Sequence, residues 1–99
     1  MEYALPKKIT ESGIAMAGPG IFCGVLVGTD GTNDPTITIY DHASTTSGTE
    51  VMPTTTFDAS ALGLNGFMPG FGILCQNGLY VEISCAGTVE VTVLRRPWP

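Results

Sequence analysis

Apolar and polar positions alternate most clearly over Gly78 to Leu94, GLYVEISCAGTVEVTVL. Leu79, Val81, Ile83 and Cys85 alternate with Tyr80, Glu82 and Ser84. Val89, Val91 and Val93 alternate with Thr88, Glu90 and Thr92. Successive side chains on a strand point to opposite faces, so each run predicts a strand with one apolar and one polar face. Ala86-Gly87 between them predicts a tight turn, and hence a hairpin.

The rest of the chain follows the same period. Met1 to Pro6 is expected to be an arm. Lys7 to Ala17 predicts one strand with a bulge at Ser12-Gly13. Gly18-Pro19-Gly20 predicts a turn. Ile21 to Val27, IFCGVLV, is apolar almost throughout, as in a strand buried on both faces or covered by a neighbouring subunit on one. Gly28 to Pro35 is dense in turn formers.

Thr36 to Asp41 alternates again, with Ile37 and Ile39 on one face and Thr36, Thr38 and Tyr40 on the other. His42 to Thr49 predicts an exposed loop. Glu50 to Phe57 predicts a strand held to a sheet edge by Pro53, which lacks a backbone donor. Asp58 to Leu64 is the one place for a short helical turn, capped by Asp58 or Ser60. A strand is expected at Gly72 to Cys75, followed by the hairpin signal Asn77-Gly78. Arg95 to Pro99, RRPWP, is expected to leave the body as a second arm, dispensable for folding. Seven to eight short strands with frequent turns predict an all-β fold, a small antiparallel β-sandwich or jelly-roll-like barrel, forming one domain over residues 1–99.

Composition narrows the function. Charged residues are 13% of the 99, about half the usual share of roughly 25%. Much of the surface is therefore hydroxylic, glycine-rich or apolar, and suited to being covered. Nine acids oppose four bases for a net charge of −5. With only Lys7, Lys8, Arg95 and Arg96 to neutralise phosphates, nucleic-acid binding is not expected. No apolar run reaches the ~20 residues that span a bilayer, and MEYALPKK does not read as a secretory signal. Cys23, Cys75 and Cys85 are odd in number and lack C-x-x-C spacing, so all three are read as reduced in a cytoplasm.

Candidate chemistry is sparse. Asp30, Asn33 and Asp34 in GTDGTND offer oxygen ligands, but the spacing is not that of a twelve-residue calcium loop, and a plain turn accounts for them. His42 follows Asp41, yet neighbours on a strand diverge and cannot form an orienting pair. No G-x-S-x-G elbow is present. Glu82 and Glu90 fall on polar strand faces, where solvation is the default. Gly18, Gly20 and Gly24 precede a strand rather than a helix, against a phosphate loop. No catalytic residue, cofactor or metal is expected. The two ends each join an aromatic to proline and two bases, so Tyr3, Arg95, Arg96 and Trp98 are the candidate partner-binding residues.

The early K-K-I-T-x-S-G strand, the G-P-G-I-F-C-G-V-L-V turn and strand, T-I-T-I-Y-D-H, and the closing N-G-L-Y-V-E-I-S-C-A-G-T-V-E-V-T-V-L run together cover roughly Lys7 to Leu94. Over that span the sequence resembles small β-sandwich virion proteins of tailed bacteriophages. The resemblance implies a structural protein of the particle, assembled in the host cytoplasm. The expected role is a capsid decoration or cement subunit bound to the major capsid protein. A homo-oligomer is expected, with a trimer first; weakly charged sheet faces are expected to pack on neighbours and the terminal arms to clip across them, with strand addition at an exposed sheet edge as a further means. A neck or tail adaptor, or fibre-attachment piece, is the alternative within the virion. A carbohydrate-binding β-sandwich, with Tyr40, Tyr80 and Trp98 as platforms, is the alternative outside it. The three cysteines and RRPWP match no feature of that family.

Overall fold

A computed structural model describes residues 4–60 and 65–97. It contains nine strands among those residues: β1 Leu5–Ile9, β2 Gly13–Met16, β3 Gly20–Thr29, β4 Thr36–Asp41, β5 Thr49–Thr56, β6 Asn65–Phe67, β7 Ile73–Cys75, β8 Leu79–Ser84 and β9 Val89–Pro97. They form two antiparallel sheets. Sheet A runs β1-β9-β3, with β6 and β7 both paired to the far edge of β3. Sheet B runs β2-β8-β4-β5. The expected all-β sandwich is therefore present.

The alternation places the core correctly. Phe22, Val25, Val27, Val91 and Val93 of sheet A face Ile37, Ile39, Met52, Leu79 and Val81 of sheet B, all buried. Phe22 also stacks on Phe67, with ring centroids 6.3 Å apart. Phe22 and Val25 are three residues apart yet both point inward, because the β3–β9 register shifts between Phe22 and Gly24. Such a bulge absorbs the extra residue. Gly24 takes φ +150° there, and a Cβ at that position would collide with the Met68 sulfur. β5 lies at the edge of sheet B, as Pro53 requires.

Strand pairing departs from the expected hairpins. β8 and β9 do not pair. β8 is central in sheet B between β2 and β4, and β9 is central in sheet A between β1 and β3. Alternation reports which face of a strand is buried, not which strand lies beside it, so the connection from Cys85 to Thr88 is a crossing between sheets. Gly87 sits there because the Asp30 carboxylate and the Asn33 amide occupy the space of a side chain. Asn77-Gly78 is likewise a corner from β7 in sheet A to β8 in sheet B. Only β4 and β5 are sequence neighbours that pair; β6 and β7 follow one another along β3, and every other connection crosses the sandwich.

Lys7 to Ala17 is two strands rather than one bulged strand. The Ser12 hydroxyl accepts the Ile83 N–H at 2.8 Å, so by that residue the chain has already turned onto sheet B. In both expected arms, residues 5–6 and 95–97 are strand. Leu5 and Pro6 pair with Arg95 and Leu94. Arg95, Arg96 and Pro97 extend β9 against Phe22, Ile21 and Gly20. Pro97 is tolerated because it ends the strand. At Asp58 to Ser60 the described chain is a turn, with the Asp58 carboxylate accepting the Ser60 N–H at 2.9 Å. The rest of the expected helical turn, 61–64, lies outside the described residues.

Candidate docking faces

Of the four candidate binding residues, Tyr3 and Trp98 lie outside the described residues. Arg95 and Arg96 fall on opposite faces of β9. Arg95 turns inward, and its Nε donates to the Ala15 carbonyl of β2 at 2.6 Å. That bond ties sheet A to sheet B, so Arg95 is a structural residue in this fold. Arg96 lies on the outer face of sheet A, beside Ile21.

The outer face of sheet A carries a group of apolar side chains that the terminal motifs did not announce. Ile21 pairs with Leu74 on one side and Arg96 on the other. Leu26 and Leu94 are half-buried on the same face. Met68 is 58% exposed and lies over Gly24, while Leu74 is 56% exposed. Phe71, on the loop between β6 and β7, is 89% exposed. A large aromatic this open to water is costly to leave uncovered. The available signal was NGFMPGFG, where apolar residues stand among glycines and prolines that cannot bury them.

The sheet edges are poor templates for a further strand, contrary to expectation. β1 carries Pro6, Lys7 and Lys8, and β5 carries Pro53 and two register irregularities against β4. The far edge of sheet A is broken between two three-residue strands, and β2, the other edge of sheet B, is four residues long with a register shift against β8. Prolines, lysines, bulges and short length all blunt edge pairing.

The outer face of sheet B has a different chemistry. Ile14, Tyr80, Tyr40 and Glu50 form one row across β2, β8, β4 and β5. The Tyr40 hydroxyl donates to Glu82 Oε1 at 3.1 Å. Burial, and then the Glu82 carboxylate, raise the Tyr40 pKa. Beside this row the threonine hydroxyls pair with each other, Thr38 with Thr54 at 2.7 Å and Thr36 with Thr56 at 2.9 Å.

The loops hold their polar groups in backbone contacts. Asp30 Oδ1 accepts the N–H groups of Thr32 and Asn33, each at 2.8 Å, and Oδ2 accepts the Asn33 side-chain amide at 2.8 Å. Bonds from Asn33, backbone and then side chain, with the Thr32 N–H after them, hold the Asp30 pKa down to about 2. Asp34 accepts the Ala59 N–H at 2.8 Å. The loop thus has the Asx geometry of a turn. A hollow of about 560 Å³ opens nearby, lined by Thr10, Thr29, Thr88 and Glu90. Glu90 is ion-paired to Lys8 at 2.8 Å.

Asp41 and His42 are engaged apart from each other. Asp41 accepts the N–H groups of Gln76, Asn77 and Gly78 at 3.0, 2.9 and 3.3 Å. His42 Nδ1 accepts those of Ser44 and Thr45 at 3.1 and 3.2 Å. Among the described residues no group of three or more His, Cys, Asp or Glu side chains is placed to hold a metal ion. Cys23, Cys75 and Cys85 are free thiols.

No family model, curated protein or solved structure matches this chain.

Proposed function

We propose that the chain is a structural subunit of a bacteriophage particle, a head decoration or cement protein that acts by covering its neighbours. The observation that carries this reading is the apolar outer face of sheet A around Met68, Phe71 and Leu74, on a chain with only 13% charged residues. Large exposed apolar groups rimmed by polar residues mark protein contacts. Blunted edges leave the face, rather than strand addition, as the means of attachment. The major capsid protein is the proposed partner, and a closed homo-oligomer, trimeric in the first instance, is the proposed unit. The resemblance of Lys7 to Leu94 to small virion proteins supports the same reading.

The test mixes the purified chain with undecorated heads of the phage that encodes it and locates it by electron microscopy. Leu74→Glu and Met68→Glu should each abolish binding while leaving the fold intact. Location at the neck or tail would replace the decoration role with an adaptor role. Absence from the particle, or binding unaffected by both substitutions, would overturn the proposal.

A further inference from the structure

The two outer faces of the sandwich differ too much to serve one purpose. Sheet A presents aliphatic groups, Phe71 and a base. Sheet B presents two tyrosines side by side, two carboxylates and paired threonine hydroxyls. We infer that the outer face of sheet B is a binding surface for a neutral, β-1,4-linked oligosaccharide, with Tyr40 and Tyr80 as the stacking platform.

The register puts Tyr40 directly opposite Tyr80 on adjacent central strands. Ile14 extends the apolar part of the row beyond Tyr80, and Glu50 closes it beyond Tyr40. Four strands at a spacing of ~4.8 Å make the row about 14 Å across, room for a short run of pyranose rings. The rings of an equatorially linked sugar present flat C–H faces that suit an aromatic surface with a polar tip. Their hydroxyls need acceptors at the rim. Glu82 supplies one and is held in place by the Tyr40 hydroxyl, which limits the ordering cost on binding. Glu50 and Glu82 repel anionic polymers, so charge selects neutral sugars. The Thr38–Thr54 and Thr36–Thr56 hydroxyl pairs lie beside the row. This surface is separate from the docking face of sheet A, so either inference can fail without the other.

The experiment is an NMR titration of the full chain with chitohexaose, with cellohexaose and, as the charged control of the same linkage, with a β-1,4-linked mannuronic acid hexamer. Saturable shifts are expected with a neutral hexamer, confined to β2, β8, β4 and β5, and absent with the mannuronate. Tyr80→Ala should weaken binding by about tenfold or more. Glu82→Gln, at an exposed position that does not threaten folding, should weaken it severalfold. The inference is overturned if neither neutral hexamer shifts these strands, if the mannuronate binds equally well, or if both substitutions leave binding unchanged.

Discussion

Asp41 Oδ1 accepts the backbone N–H of Asn77 at 2.9 Å, joining the end of β4 to the corner between β7 and β8. The same carboxylate also takes the N–H groups of Gln76 and Gly78. Three consecutive donors thus converge on one side chain, at the point where the chain leaves sheet A for sheet B. Gly78 completes the corner with φ +143°, where a side chain would strike the Met16 carbonyl.

Asp41→Ala is expected to lower stability by about 2 kcal/mol, since it removes charge-assisted bonds from three donors. Asp41→Asn keeps a carbonyl acceptor and should cost less. Urea denaturation of the two variants measures the difference.

The Arg95 bond to Ala15 predicts the outcome of truncation. Removing residues 95–99 takes away the β9 segment paired with Ile21 and Phe22, together with the tie between sheets. The truncated protein should be strongly destabilised rather than merely poor at assembly. Arg95→Ala alone should cost about 1–3 kcal/mol, read from the denaturation midpoint.

Asp30 sets an acid limit on the loop between β3 and β4. Its folded pKa of about 2 lies below the ordinary 3.8. Its contribution is therefore complete above about pH 4 and is lost as the pH falls through 2. Asp30→Asn should flatten the fall in melting temperature between those two values. A scan of melting temperature against pH for both proteins checks this.

The cysteines should differ in reactivity. Burial, and then the negative charge of Asp41, push the Cys75 thiol up to about 11 from 9.0, and the side chain is inaccessible. Thiolate is the reactive form, so Cys75 should resist alkylation in the folded protein. Cys23 and Cys85 are partly exposed and should be modified first, as mass spectrometry of iodoacetamide-treated protein would report. With its folded value raised, Cys75 contributes its full stability below about pH 9 and loses it as the pH rises through 11.

The sequence revealed faces well and partners poorly. Ile37, Ile39, Leu79, Val81, Val91 and Val93 were readable as inward because alternation is a local property. That β8 and β9 belong to different sheets was not readable, because both ends of the Cys85–Thr88 connection carry the same pattern in either topology. Pro53 marked an edge through its missing donor. Pro97 suggested an arm only because the partners that extend β9, Gly20 to Phe22, lie far away in sequence. The exposed apolar group was not readable for a related reason. The terminal arginines looked like docking groups by composition, whereas exposure of Met68, Phe71 and Leu74 depends on β6 and β7 sharing one edge of β3.

The position of β9 at the centre of sheet A also governs when that sheet can exist. During translation β3 leaves the ribosome long before β9 does; β6 and β7 can meet it along one edge, but until β9 follows β1 has no neighbour in the sheet and β3 is open along its other edge. The nascent Ile21 to Val27 segment must wait, apolar and paired along one edge at most, for β9 to emerge. Sheet A therefore closes only once β9 has been made, and shielding of that segment in the meantime falls to the cell.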